Sequence, residues 1–211
     1  MPSNNWFRRL KGTACETSAT RYDSSVREYE PSSLSLAGSL LVAHPALLDP
    51  NFKKTVLFLS KHDAEEGAFG LVLNRPAERS VRDLLPNKPL GELAHVPVFL
   101  GGPVQQDQLI FASFRWHAET ERMECQHHLL IPEAQSVMEE PGTTVRAFIG
   151  YAGWTKGQLE GELAQKAWLL SRPNPELLQI EKCPTLWRDV TSSFGPWFRL
   201  VAEAPDDPAT N

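Results

Sequence analysis

The amino-acid sequence predicts a single α+β domain, and three observations lead to this fold class. Short apolar runs rich in β-branched and aromatic residues are bounded by Gly, Pro and polar turn residues, which is typical of strands. Short segments with helical periodicity lie between some of these runs. The two kinds of segment do not alternate regularly, which excludes a doubly wound parallel sheet. With 211 residues, of which 41% are hydrophobic, the chain is long enough for one sizeable core.

The strand predictions follow the apolar runs in chain order. Strands are expected at 38–43, 55–60, 69–73, 96–100, 108–114, 125–131 and 144–150, with a further short one at 167–170. The polar stretch 61–67 ends in Gly, so the second and third strands are expected to form a hairpin with a longer loop. Ser60 to Asp63 combine nucleophile-, base- and acid-type side chains. Because neighbours in an extended chain point to opposite sides, we interpret this stretch as the entry of a solvated loop.

Four helical segments are expected from capping residues and apolar spacing. They are 80–85, 133–140, 156–166 and 184–194. Ser80 is a good N-cap for the first, and Pro86 prevents its continuation. Leu159 and Leu163, four residues apart, mark the buried face of the third. Gly195 and Pro196 are expected to close the last helix.

The domain organisation follows from a change in composition near residue 34. Residues 1–33 are polar and lack sustained periodicity, which predicts a flexible N-terminal extension. Residues 34–204 form the predicted domain, and 205–211 a polar tail.

Charge and cysteine content restrict the possible partners and location. The net charge of −5 disfavours nucleic-acid binding through a positive field, so no direct nucleic-acid binding is expected. No run reaches the roughly 20 apolar residues of a membrane span, and no membrane partner is expected. Cys15, Cys125 and Cys183 are too few for a disulfide framework. Without a signal-like apolar region at the N-terminus, a cytoplasmic location is predicted.

Familiar catalytic and cofactor motifs are absent from the sequence. There is no Gly-x-Ser-x-Gly elbow, and the segment 150–157 departs from the phosphate-loop pattern. Cys125 and His127 supply only two of the four ligands that a closed zinc site needs. No cofactor and no metal site are therefore predicted, and no enzymatic activity is indicated.

Three segments at the ends of predicted strands carry residues that packing alone does not require. These candidate ligand-binding residues are Asn74, Arg75, Gly101, Gly102, Pro103, Gly153, Trp154 and Gln158. If the strands are neighbours of similar orientation, the three segments meet in one concave site. Trp154 would form an apolar wall, and Asn74 and Gln158 would supply orienting hydrogen bonds.

The expected ligand of such a site has an anionic group. Backbone amides near Gly102 and Gly157 would bind a carboxylate or phosphate. The alternative interpretation treats the three segments as tight turns, with Trp154 as a core plug and Asn74 as a turn cap.

The same segments carry a resemblance to a known family. The runs GSLLVAHPALLDPNFKKTVLFLSKHDAEEGAFGLVLNRP, LGGPVQQDQLIF and GYAGWTKGQLEGEL, followed by LWRDV and APDDP, resemble the AlgH/YqgE family of bacterial proteins over about residues 36–208. The resemblance implies a compact α+β fold of bifurcated, coiled, mostly antiparallel sheets with short helices. It implies no established reaction. The family name carries a proposed link to transcriptional control of alginate production.

The functional expectation is a cytoplasmic regulatory protein that binds a small ligand or a protein partner. One alternative is a transcriptional regulator acting directly on DNA, which only the resemblance supports. The other is an enzyme of unrecognised class, which a perturbed His or Asp in the candidate site would favour.

Overall fold

The computed structural model describes residues 35–63 and 65–204, so the predicted extension 1–33 and tail 205–211 lie outside the described residues. The described residues form nine strands: β1 (Leu40–Ala43), β2 (Val56–Asp63), β3 (Gly67–Val72), β4 (Pro76–Ser80), β5 (Pro97–Leu100), β6 (Val104–His117), β7 (Arg122–Leu129), β8 (Thr143–Trp154) and β9 (Trp168–Ser171). All the predicted strands are present within shifted boundaries, and the predicted α+β class is confirmed.

The long strand β8 is the point at which the sheet branches. The order of one path is β4-β5-β8-β3-β2-β1-β9, and β6 pairs with both β8 and β7. The first part of β8, to Ile149, lies between β5 and β6, whereas its end at 152–154 pairs with β3. Among the described pairings only β5–β8 is parallel. The sheet is therefore bifurcated and mostly antiparallel.

Glycines make the branch possible, because two backbones cross there at close range. A Cβ added to Gly101 would lie 2.2 Å from the carbonyl oxygen of Gly150. Gly150 itself has φ +68°, and a Cβ on it would lie 2.6 Å from the Gly102 carbonyl oxygen. Only residues without a side chain allow this approach.

Short helices cover the sheet. They are α1 (Val81–Leu84), α2 (Ile131–Met138), α3 (Gln158–Ala164), α4 (Leu186–Ser192) and α5 (Pro196–Glu203), with 3-10 turns at Gly91–His95, Pro175–Leu178 and Ile180–Lys182. The start of α1 is fixed by Asp83, whose carboxylate accepts the Ser80 N–H at 2.7 Å. Pro132 stands in the first turn of α2, where its missing N–H costs nothing.

Two apolar clusters form the core. The larger one joins β1, β2 and β3 to α3 and α4, and includes Phe58, Trp154 and Trp168. The smaller one fills the space between β5, β6, β8 and the first two helices, around Val98 and Phe111. The candidate site described below lies beside the larger cluster.

The interpretation of Ser60 to Asp63 as a solvated loop is wrong. These residues extend β2, because a bulge between Leu59 and Lys61 shifts the register and the pairing with β3 continues. The side chain of His62 is only 7% exposed. Its Nδ1 accepts the Leu36 N–H at 3.0 Å, and its Nε2 lies 2.9 Å from Glu160 Oε1. The predicted hairpin is confirmed, but its loop is shorter.

Two elements were missed, both at prolines. Pro76 ends the predicted third strand, yet it begins β4, an edge strand that pairs with β5 only at Pro76 and Ser80. Such an edge position tolerates the missing N–H of proline. Gly195 and Pro196 end α4 as expected, but Pro196 also stands at the start of a new helix, α5.

Candidate functional site

A cleft of about 570 Å³ opens between the β1–β2 connection, the end of β8, α3 and the start of β9. We call it the aromatic cleft. The described residues that line it are Leu47, Asp49, Asn51, Phe52, Pro103, Gly153, Trp154, Gly157, Gln158, Gly161, Glu162, Gln165, Ala167 and Trp168.

Three aromatic side chains form the inner wall of this cleft. The ring of Phe52 stacks on Trp154 with centroids 6.4 Å apart, and meets Trp168 edge to face at 5.3 Å. Trp154 and Trp168 meet edge to face at 6.1 Å. Both indoles belong to the core, with exposures of 6% and 4%. The wall is therefore fixed by packing before any ligand arrives.

Glu162 connects the two tryptophans. Its Oε2 accepts the indole N–H of Trp154 and that of Trp168, each at 2.8 Å. Its Oε1 accepts an N–H from the Gln158 side chain at 3.1 Å. All three donors are neutral, and no cationic side chain of the described residues forms a salt bridge with this carboxylate. A negative charge thus lies at the aromatic wall.

Helix α3 presents its polar face to the cleft. Gln158, Glu162 and Gln165 are spaced by four and three residues, which places them on one side of the helix. Leu159 and Leu163 are buried on the other side, as predicted. Gln158 also fixes the start of the helix, because its Oε1 accepts the Thr155 N–H at 3.1 Å.

The opposite rim is a turn that Arg75 holds in place. The Arg75 guanidinium donates to the carbonyl oxygens of Pro50, Asn51 and Lys53, at 3.2, 2.7 and 3.0 Å. Burial lowers the pKa of Arg75, and the negative charge of Asp49 opposes that shift. Arg75 therefore shapes the rim from behind and does not itself line the cleft.

Asn74 acts on the same connection. Its Oδ1 accepts the Val56 N–H at 2.9 Å, and its Nδ2 donates to the Lys54 carbonyl at 3.0 Å. Both the oxygen and the nitrogen of the half-buried amide are therefore bonded to backbone. These contacts agree with the interpretation of Asn74 as a turn cap. They do not agree with a role in orienting a ligand through hydrogen bonds.

Gly101 and Gly102 lie at the backbone crossing. The Gly101 N–H donates to Ile149 O at 2.9 Å, and its carbonyl accepts the Val72 N–H at 3.0 Å. The Gly101 amide is therefore not available to a ligand, whereas the amides predicted to bind an anion were those near Gly102 and Gly157. A Cβ on Gly102 would lie 2.2 Å from the Tyr151 carbonyl carbon. Close packing of the two backbones explains both glycines.

The structure thus divides the predicted site residues into two groups. Pro103, Gly153, Trp154 and Gln158 line the aromatic cleft. The other four, Asn74, Arg75, Gly101 and Gly102, lie in the framework behind it. The sequence also missed Phe52, Glu162 and Trp168 as lining residues. For Glu162 a signal existed, since it follows Gln158 by one helical turn, whereas nothing in the sequence marks Phe52.

The chemistry of the lining is acidic and amide-rich. Asp49 and Glu162 contribute carboxylates, and Asn51, Gln158 and Gln165 contribute amides. The described lining residues include no Lys, Arg or His, and no Ser, Thr or Cys. The described lining offers hydrogen-bond acceptors and apolar surface, and its only side chains of a nucleophilic kind are the carboxylates of Asp49 and Glu162.

The remaining described residues add two negative findings. No helix within 35–63 or 65–204 is both long and apolar enough to cross a membrane. In the same part of the chain, no three or more His, Cys, Asp or Glu side chains come together as metal ligands.

Comparison with other proteins supports the resemblance seen in the sequence. The profile of the family DUF179, described as AlgH-like, matches residues 40–199. A UPF0301 protein of Streptomyces coelicolor is 39% identical over 188 residues, covering 84% of this chain and 96% of the relative. A UPF0301 protein of Mycobacterium leprae is 34% identical over 185 residues, covering 83% and 90%.

Two solved structures share the fold. A crystal structure of a Corynebacterium diphtheriae protein aligns with TM-score 0.63 and 20% identity, covering 84% of this chain and 95% of that one. The solution structure of the AlgH protein from Pseudomonas aeruginosa aligns with TM-score 0.58 and 26% identity, covering 85% and 100%. None of these names states a reaction or a ligand.

Proposed function

We propose that this chain, which belongs to the AlgH-like family, is a regulatory protein that works by binding a small ligand in the aromatic cleft. The observation that supports this proposal most directly is the cleft itself. It has a volume of about 570 Å³ and a wall formed by Phe52, Trp154 and Trp168. This volume lies within the roughly 300–1,000 Å³ of small-molecule sites, which combine aromatic surface with a few fixed polar groups.

Binding without chemistry is favoured over catalysis. An enzyme site of the common kinds needs a nucleophile or a general base with a partner that orients it. In the described lining the only titratable groups are Asp49 and Glu162, and Glu162 is engaged by two indoles. The lowered pKa values of His44 and His127 belong to residues outside the lining.

A cytoplasmic location is part of the proposal. Cys125 and Cys183 are free thiols, one half-buried and one buried. Unpaired cysteines are common in proteins of reducing compartments.

Direct DNA binding is the alternative, and the α4–α5 pair is the region that bears on it. The two helices are joined by three residues that include Gly195, a turn length found in helix-turn-helix motifs. However, the exposed side of α5 carries Trp197 and Leu200, at 56% and 70% exposure, with Arg199 as its one basic residue. A helix that reads DNA needs polar and basic side chains at that position. We therefore expect no nanomolar, sequence-selective DNA binding in about 150 mM salt, measured by fluorescence anisotropy.

The experiment that tests ligand binding follows the indole N–H signals of the full chain by NMR. Small aromatic fragments bearing an amine, an alcohol or a carboxylate are added one at a time. We expect saturable shifts of the Trp154 and Trp168 signals, assigned with Trp→Phe variants. The Trp187 indole, which donates to Ala43 O at 2.8 Å in the core, provides an internal reference that should not move.

A cleft-filling variant supplies the control. Gly161 lines the cleft, and a Cβ there meets nothing within 4 Å, so Gly161→Leu should occupy the space without disturbing α3. Ala164→Leu adds the same side chain on the exposed face of the same helix. Gly161→Leu should abolish the shifts and Ala164→Leu should preserve them. Equal binding by both variants, or no shift with any fragment, would contradict the proposed function.

A further inference from the structure

We infer that the ligand of the aromatic cleft is an organic cation, a compound with a planar or apolar body and a protonated amine. This inference rests on the proposed function and narrows it. It departs from the sequence expectation of an anionic ligand, because the described lining of the cleft carries two carboxylates and no cationic side chain.

The Glu162 carboxylate retains capacity for a ligand. A carboxylate has about four lone-pair sites, and three are taken, two on Oε2 by the indoles and one on Oε1 by Gln158. The remaining acceptor position is on Oε1, the oxygen that carries only the Gln158 bond. Because the indoles lock the carboxylate in place, a ligand donor meets an acceptor that is already oriented.

Asp49 places a second negative charge on the facing rim. Within the described chain its side chain accepts one hydrogen bond, from the Asn51 N–H to Oδ1 at 2.7 Å. The neighbouring Arg75 acts on this charge, but its guanidinium donates to three backbone carbonyls of the turn and does not line the cleft. A ligand in the cleft therefore meets two carboxylates, those of Asp49 and Glu162.

The aromatic wall favours the same class of ligand. The face of an indole attracts a cation through the negative charge of its π system. The described lining offers no cationic side chain to balance a ligand carboxylate or phosphate. An anion would have to displace its hydration shell against two negative charges, which is unfavourable.

The test uses three probes that share one body and differ in charge: 2-phenylethylamine, 2-phenylethanol and phenylacetate. Their dissociation constants are measured by titration of the Trp154 and Trp168 indole signals of the full chain. The amine and the alcohol can both donate a hydrogen bond to Glu162, but only the amine adds charge–charge attraction, so we expect it to bind about tenfold or more tightly than the alcohol. Phenylacetate should bind most weakly.

Variants that remove one negative charge test whether the preference for the amine arises in the cleft. Glu162→Gln keeps an acceptor oxygen and should reduce the amine-to-alcohol ratio to below about threefold. Glu160→Gln is the matched control, because it removes the same charge from the same helix. Glu160 contacts His62 and does not line the cleft. The amine-to-alcohol affinity ratio of this variant should equal that of the wild type. Should Glu162→Gln fold poorly, Asp49→Asn provides the same comparison on the opposite rim.

The outcomes separate the two proposals. Equal affinity for amine and alcohol, or preference for phenylacetate, would overturn the cation inference and leave ligand binding in the cleft intact. An amine preference that survives in Glu162→Gln and Asp49→Asn would also overturn it. Failure of all three probes to shift either indole, while fragments without an amine do so, would overturn the cation inference. Failure of every fragment would overturn the proposed function as well.

Discussion

The aromatic cleft and the backbone crossing behind it contain similar residue types but use them differently. In the cleft, Gly161 lines open space and Gln158 is exposed at the rim. At the crossing, Gly101 is pressed against the Gly150 carbonyl, and Asn74 is bonded to backbone on both sides. In the framework, the polar groups of Gly101 and Asn74 are bonded within the chain. The cleft keeps acceptors for a ligand because its carboxylates are only partly satisfied.

The two regions are nevertheless coupled. Asn74 and Arg75 belong to the framework, yet their hydrogen bonds end on residues 50–56. That connection carries Asn51 and Phe52 into the cleft. Residues that never touch a ligand therefore define the position of one rim. Mutations in the framework should act first on stability, and mutations in the cleft first on binding.

The largest expected effect is that of a single methyl group at the crossing. Gly101→Ala places a Cβ 2.2 Å from the Gly150 carbonyl oxygen, a backbone contact that cannot be relieved by a side-chain rotation. We expect a loss of about 3 kcal/mol in the free energy of unfolding, or failure to fold. Urea denaturation of the purified variant measures it.

The same substitution in the cleft should have the opposite sign. Gly161 lies within α3, and its added Cβ meets nothing within 4 Å. Gly161→Ala should therefore stabilise the chain by about 0.5–1 kcal/mol, the helix preference of alanine over glycine. Equal losses for both alanine variants would show that the division between framework and cleft is wrong.

The sequence predicted more of the fold than of the site, and the reason is physical. Strands and helices are specified by local periodicity, so the buried strands were found. At Pro76 the same local rule failed, because whether a proline ends a strand or begins an edge strand depends on the neighbouring strand. The branch at β8 is likewise a tertiary property.

The site illustrates the same limit at the level of side chains. Trp154 and Gln158 could be located in the cleft because a strand that ends in glycine and an aromatic residue before a helix brings them to one edge. An asparagine at a strand end has the same sequence pattern whether its amide points to solvent or bonds to the backbone. The contacts of Asn74 were therefore not predictable. Phe52 enters the cleft from a turn that Arg75 and Asn74 position through hydrogen bonds to its backbone.

Asn74→Ala is the next largest expected effect. The substitution leaves the Val56 N–H and the Lys54 carbonyl without their partner. An unpaired backbone group in a half-buried position costs about 1–3 kcal/mol in stability. Thermal or urea unfolding measures the loss. Asn74→Asp keeps the acceptor and removes only the donor, so it should be less destabilising; a loss below about 0.5 kcal/mol in Asn74→Ala would contradict the framework role.

Substitution of Arg146 tests whether the folded chain tolerates the removal of a buried charge. Its side chain is 1% exposed, lies over the Phe99 ring beside the Cys183 thiol, and donates to Leu73 O at 3.0 Å, while Nε and Nη2 form no hydrogen bond of normal geometry within the described residues. Because an apolar side chain of similar length removes the desolvation cost, Arg146→Met should be as stable as the wild type or about 1 kcal/mol more stable at pH 7. Arg122→Met, at an exposed position of β7, is the control.

Alkaline pH should reduce the difference in stability between Arg146→Met and the wild type. Burial lowers the pKa of Arg146 from 12.5 to about 10, so above pH 10 Arg146 keeps its proton in the unfolded chain and loses it in the folded one. The stability of the wild type relative to Arg146→Met then rises with pH. Urea unfolding of both proteins at pH 7 and pH 10.5 measures the change, and a difference that widens would contradict the buried cation.

The smallest expected effect is that of Gln158→Ala, and it sharpens the contrast with Asn74. Gln158 is exposed, and its bonds to Thr155 and Glu162 lie at the rim, where water can replace them. We expect a stability loss below about 1 kcal/mol. Because the substitution frees a lone pair of Glu162 Oε1, amine probes should still bind, whereas Asn74→Ala should weaken them by displacing the turn that carries Phe52. A stability loss in Gln158→Ala as large as that of Asn74→Ala would place the rim within the framework and remove the physical basis for a ligand site there.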